Sequence, residues 1–181
     1  MPAETLRGTL RTLTAEGIMA INRRLQELLD QTRSSYAVLP HNEAYTANQV
    51  AHNVHVANHK MAKVVVLRDT LGADFMVVLP SGEYFDSNRL HRATGRAGIR
   101  LEDEFQLTRL FPDCEMGAMP PFGSLYHMPM YVDPCLLEDE NIFFQAGNHH
   151  EVVLMRSEEY RRIAGPLRVT GCLHRELVLA N

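Results

Sequence analysis

Ten residues, Cys114-Glu-Met-Gly-Ala-Met-Pro-Pro-Phe-Gly123, limit the fold more than any other stretch of the chain. Two adjacent prolines each fix φ at about −65° and remove a backbone donor. Gly117 and Gly123 flank them and allow φ values closed to other residues, or a close approach to a ligand. The combination predicts a rigid loop that exposes main-chain groups rather than placing them in a ladder. The amides of Gly117, Ala118, Met119, Phe122 and Gly123 are expected to be free to point at an oxygen, as in an oxyanion hole or anion nest. The plainer reading of the same residues is a proline-rich surface turn.

Elements of both periodicities lie on either side of this loop. Ile18, Ile21, Leu25, Leu28 and Leu29 recur at helical spacing and predict a helix over 15–33 with Thr14 as its cap. Residues 35–40 read as a short strand. Thr46 and Gln49 have capping-box spacing, so a helix over 47–58 should follow. Met61 to Arg68 and Asp74 to Leu79 are β-rich apolar runs joined by a polar connection, which predicts a hairpin. Asp86 caps a helix ending near Gly95, and another spans 102–110. Strands are expected at 128–132, 141–146 and 151–156, then a helix over 157–164. Mixed hairpin and crossover connections predict a single α+β domain, one curved mixed β-sheet surrounded by helices.

Composition closes off several classes of function. The 181 residues suit one domain with a sizeable core. A formal net charge of −4 argues against wrapping a long nucleic-acid duplex, which needs many basic contacts. It leaves room for gripping a strand end. Three cysteines, an odd number with no CxxC pair, argue against a disulfide framework and for a reducing compartment. The opening residues lack the apolar core of a secretory signal, and no apolar run is long enough to span a bilayer. The expected location is the cytoplasm.

Individual polar residues carry two readings each. Lys63 opens an apolar strand, where it is either a lysine snorkelling at the sheet rim or a point charge for a phosphate or carboxylate. His52, His55 and His59 would share one face of the 47–58 helix. No carboxylate lies among them and the HExxH spacing is absent, so a solvated face is preferred to a metal site. Gly147, Asn148 and His149 occupy a hairpin turn, as turn chemistry or as the polar mouth of a pocket. No nucleophile elbow, Walker loop or dinucleotide fingerprint is present. Neither a cofactor nor a metal is expected.

Taken in order, Thr46-Ala47, Ala62-Lys63, Gly117-Ala-Met-Pro-Pro121-Phe-Gly123, Val132-Asp133 and Ala146-Gly147 resemble the YbaK/prolyl-tRNA-synthetase-associated domain family of aminoacyl-tRNA deacylases. The resemblance covers residues 35–165. It leaves 1–34 as an N-terminal helical extension and 166–181 as a tail packing on the domain. It implies hydrolysis of the ester that joins a wrong small amino acid, such as alanine, cysteine or serine, to a tRNA, with tRNA-Pro the expected carrier. It implies catalytic roles for Lys63, Gly117, Ala118, Met119 and Pro121. Thr46, Phe122, Gly123, Gly147, Asn148 and His149 are the implied substrate contacts. The implied partners are the tRNA acceptor end and an aminoacyl-tRNA synthetase. The alternative is a non-catalytic member that binds an aminoacyl-tRNA end, a nucleotide or a protein.

Overall fold

The structure is a computed structural model that describes residues 21–167, 169 and 171–174. The first twenty residues of the expected N-terminal helical extension and most of the tail lie outside them. Strand β1 (Tyr36–Pro40), β2 (Met61–Arg68), β3 (Asp74–Pro80), β4 (Arg100–Leu101), β5 (Met130–Val132), β6 (Asn141–Gln145) and β7 (Glu151–Arg156) form one sheet. Its order is β1-β7-β6-β2-β3-β5, with β4 on β2. The β2–β6 and β3–β5 pairs are parallel and the rest are antiparallel, so the sheet is mixed. Helices α1 (Arg23–Gln31), α2 (Ala47–Asn53), α3 (Ser87–Thr94), α4 (Glu104–Leu110) and α5 (Ser157–Ala164) pack around it.

Alternation along β2 and β3 explains how the core divides. Ala62, Val64, Val66, Met76 and Val78 point to one face, where Leu25 and Leu29 of α1 and Tyr160 of α5 complete the largest cluster. Val65, Leu67, Phe75, Val77 and Leu79 point to the other, against Leu90 of α3 and Leu173. On that second face, α2 covers a separate patch with Val50, Ala51, Met61 and Phe143. Burying one such aliphatic side chain is worth about 1.5–3 kcal/mol, and both faces depend on it.

Four local expectations are corrected. The first helix runs Arg23–Gln31 with Asn22 as its cap, not 15–33 after Thr14, which lies outside the described residues. Helix α2 ends at Asn53 rather than 58, because Val54 closes it and His55 takes φ 55°. The face shared by His52, His55 and His59 therefore does not form, and His59 instead sits 3.2 Å from Asp139. Cys135 and Cys172 form a disulfide with Cα atoms 6.0 Å apart, against the expectation that an odd cysteine count without a CxxC pair forms no disulfide framework. Residues 172–174 return to the exit of β5, a proximity that the 37-residue separation conceals. Among the described residues, no helix is long and apolar enough to cross a membrane.

Candidate active site

Between α2 and α3 the second face of the sheet is split. Ala62 and Phe144 are the last partners of the parallel β2–β6 pair, and β4 joins β2 only at Leu67 and Arg68. One step past the last pair stand Lys63 on β2 and Gln145 on β6. Side-chain alternation sends both to the face of Met61 and Phe143, between the two apolar patches. Burial lowers the Lys63 ammonium below the usual lysine range, and the negative charge of Glu83 partly opposes that shift. Its Nζ lies 4.7 Å from the ring centre of Tyr84, whose side chain is largely exposed.

The Pro/Gly loop is laced to the turn after β6. Glu115 N donates to Gly147 O (2.9 Å) and Gly147 N donates to Ala118 O (2.9 Å). Gly147 has φ 99°, and a Cβ there would stand 2.6 Å from Asn22 Cβ, so only glycine lets the turn approach this closely. Asn22 fastens the junction further. Its backbone N donates to Ala146 O (2.7 Å) and its Nδ2 to Asp113 O (2.9 Å), while its Oδ1 caps α1. A cavity of about 390 Å³ opens beside these residues.

Above the junction, Tyr45 and His149 pair with ring centres 4.9 Å apart. The Glu115 carboxylate accepts from His149 N at 2.7 Å. Gly117, at φ 86°, is exposed, and a Cβ built on it would lie 3.7 Å from Tyr45 O. Thr46 takes the expected capping box with Gln49 and fixes the start of α2 next to this point. Five buried side-chain polar atoms have no hydrogen-bond partner among the described residues, and two of them, His149 Nδ1 and Gln145 Nε2, lie here. Buried polar groups are rarely left so, which marks positions where a ligand's polar atoms can bind.

Not every expected donor is free. Ala118 N donates to Glu115 O, Phe122 N to Pro120 O and Gly123 N to the Met130 sulfur. This corrects the reading of five available amides, since the loop uses three of them to hold its own shape. The amides of Gly117 and Met119 have no acceptor among the described residues, and of these two residues Gly117 is exposed. Phe122 is fully buried, stacked edge-on against Phe144 and Tyr160, and Pro121 O accepts from Tyr160 OH (2.8 Å). Both lie in the first-face core, opposite Lys63. Asn148 uses its amide on Glu151 and its carbonyl on His150 N, which shapes the turn.

The structure therefore gathers Thr46, Gly117, Gly147 and His149 at one end of the split. Lys63 stands on the β2 rim with its ammonium over Tyr84. Sequence reasoning missed Tyr45, Glu115, Tyr84 and Gln145. Tyr45 and Glu115 were adjacent in sequence to residues already singled out, whereas Gln145 is visible only through the parallel register.

Residues 41–163 match the model of the aminoacyl-tRNA editing domain family. The multifunctional Ser/Thr-tRNA deacylase ProXp-y of Escherichia coli K12 is 26% identical over 149 residues, 80% of this chain and 89% of that protein. A solved structure described as a candidate trans-editing enzyme for prolyl-tRNA synthetase has a TM-score of 0.73 at 18% identity, covering 88% of this chain and 99% of that one. The hypothetical protein APE2540 superposes with a TM-score of 0.72 at 18% identity, covering 81% and 98%. At these identities the two structures speak for the fold alone. With residues 41–163, most of its length, matched by the family model, the chain belongs to the aminoacyl-tRNA editing domain family of YbaK-type deacylases.

Proposed function

We propose that this chain is a free-standing editing deacylase that hydrolyses the ester of a small amino acid, serine first among them, on a mischarged tRNA. The observation that carries the reading is the exposed, acceptor-free Gly117 amide held beside Tyr45 and His149 by the lacing of the loop onto Gly147. An aminoacyl ester is already activated, so no protein nucleophile is needed. Water adds to the ester carbonyl carbon, and the carbonyl oxygen takes up negative charge facing the Gly117 amide, a preorganised donor. The carbon–oxygen bond to the ribose then breaks. The ribose oxygen leaves with one proton of the water, the other proton passes to solvent, and the amino acid leaves as its carboxylate. A hydroxyl of the terminal ribose positions the water.

Lys63 supplies the charge for a phosphate of the acceptor end, which fixes the ester over the loop. Tyr45 and Tyr84, 62% and 76% exposed, offer ring faces on which the terminal adenine can stack. His149 Nδ1, buried and unpartnered, is placed to bond a hydroxyl on the amino-acid side chain. That supports serine, which the ProXp-y relative's name also includes. The expected carrier is tRNA-Pro, with a synthetase as partner, in the cytoplasm. The test is a panel of seryl-, threonyl-, alanyl- and cysteinyl-tRNAs with the protein at catalytic concentration. Selective release of serine supports the reading. Equal rates on all four, or none on any, would overturn it.

A further inference from the structure

A second cluster lies where the chain leaves β5. Asp133 and Cys135 follow β5, and Cys172 and His174 come from the returning segment. One ligand atom from each of the four lies within 4.8 Å of the others. A tetrahedral site with two sulfurs and a nitrogen has ligand-to-ligand edges of about 3.5–3.8 Å, within that spread. Each segment offers an i, i+2 pair, so two short stretches present four groups to one point.

The carboxylate organises the cluster. Asp133 is fully buried, its Oδ1 accepts from Cys135 N (2.9 Å), and its Oδ2 accepts from Leu173 N (2.8 Å) and His174 N (3.2 Å). His174 Nδ1 stands 2.7 Å from the same Oδ2. A disulfide alone needs no oriented imidazole. With Nδ1 turned to a carboxylate, Nε2 is the nitrogen left for a metal, the arrangement by which carboxylates hold zinc-binding histidines. Cys135 and His174 also line a cavity of about 400 Å³ that Glu83, Glu138 and Asp139 share. Asp139 is held by His59 and Lys60, but Glu83 and Glu138 still favour a cation, and the space leaves a fourth position for water.

We propose that the reduced protein binds one Zn²⁺ through Cys135, Cys172 and His174, with Asp133 orienting the histidine, and that the Cys135–Cys172 disulfide is the metal-free oxidised form of the same site. In the interconversion a small dithiol reduces the disulfide. Two electrons and two protons pass to the cysteine sulfurs while the dithiol closes to its own disulfide. Zn²⁺ then displaces both thiol protons. The metal ties residues 172–174 to the end of β5 and takes no part in ester hydrolysis.

The full chain is reduced with dithiol, freed of metal and reductant under anaerobic conditions, and titrated with Co²⁺ and then Zn²⁺. The expected result is a thiolate-to-cobalt charge-transfer band saturating at one equivalent and bleached by Zn²⁺. A rise in Tm with Zn²⁺ should accompany it. Cys172→Ser and His174→Ala should weaken binding by about 100-fold or more, and Asp133→Asn by about 10–100-fold. Cys114→Ser should bind as the unaltered chain does, because the Cys114 sulfur faces Tyr126 at 3.1 Å and belongs to another region. If Asp133→Asn does not fold, the other two variants decide. Absence of the band, or an undiminished band in Cys172→Ser and His174→Ala, would overturn the proposal. So would a Cys135–Cys172 bond that the dithiol cannot open in the native protein.

Discussion

Replacing Gly117 with alanine separates a catalytic loop from a structural one. The residue takes φ 86°, and a Cβ there would meet nothing closer than Tyr45 O at 3.7 Å, an ordinary contact. No clash is created, so the folding cost is the conformational one, about 1–2 kcal/mol for an L-residue in the left-handed region. In a domain of this size that lowers Tm by about 2–8 °C. The strain is relieved by rotating the peptide, and the amide that faces the substrate oxygen moves with it. Losing one such donor costs about 10²–10³ in kcat, and misaligning it should cost at least about tenfold. The assay is single-turnover hydrolysis of mischarged tRNA with the protein in excess, run beside thermal melts and binding of uncharged tRNA. We expect the single-turnover rate constant to fall at least about tenfold while the protein stays folded and binding is nearly unchanged, because Lys63 still meets the phosphate. A drop in Tm with an unaltered rate constant per folded molecule would refute the oxyanion reasoning.

Lys63→Ala removes a charge-assisted contact worth about 1.5–3 kcal/mol, so kcat/KM should fall by about 10–150-fold with little change in Tm. Wild-type kcat/KM in that variant would remove Lys63 from the site. Gly123→Ala is the structural counterpart: its Cβ would stand 2.5 Å from Met128 O and 2.8 Å from Met130 Cβ. It should cost about 1–3 kcal/mol in overpacking while leaving kcat per folded molecule intact; a selective loss of kcat would show that Gly123 touches substrate. The Arg68 hydrogen bonds to Asp74 hold that carboxyl below its ordinary value of 3.8. A depressed folded-state value gives stability that is fully present above about pH 3.8 and is lost as pH falls through the lower, folded value. Asp74→Asn should therefore flatten the acid limb of Tm against pH, and an unchanged limb would assign acid unfolding to other groups.

Legibility followed the range of each interaction. The β2–β3 hairpin, the Asp86 cap ending at Gly95, and helix α5 were readable because alternation, capping and turn glycines act over a few residues. Helix α2 was overextended because the apolar pattern continues past Asn53, while the reversal at His55 depends on packing that the pattern does not encode. The prolines and glycines mark the loop but not which of its amides stay free. Ala118, Phe122 and Gly123 donate to Glu115, Pro120 and Met130, and no composition rule distinguishes a donor turned outward from one turned in. Lys63 was visible as a charge in an apolar run, but its neighbour Gln145 and the split between β2 and β6 required the sheet order. Cys135 and Cys172 looked unrelated for the same reason, since only the return of the tail brings them together.

Catalysis is the central claim, and turnover tests it most directly. Mischarged seryl-tRNA is incubated in large molar excess over the full chain, and released serine is counted per protein molecule against time. The account predicts many equivalents of serine per chain, at a rate proportional to protein concentration and depressed in both Lys63→Ala and Gly117→Ala. Protection of the ester, or release that stops at one equivalent, would contradict it and leave a module that binds the aminoacyl end without cleaving it.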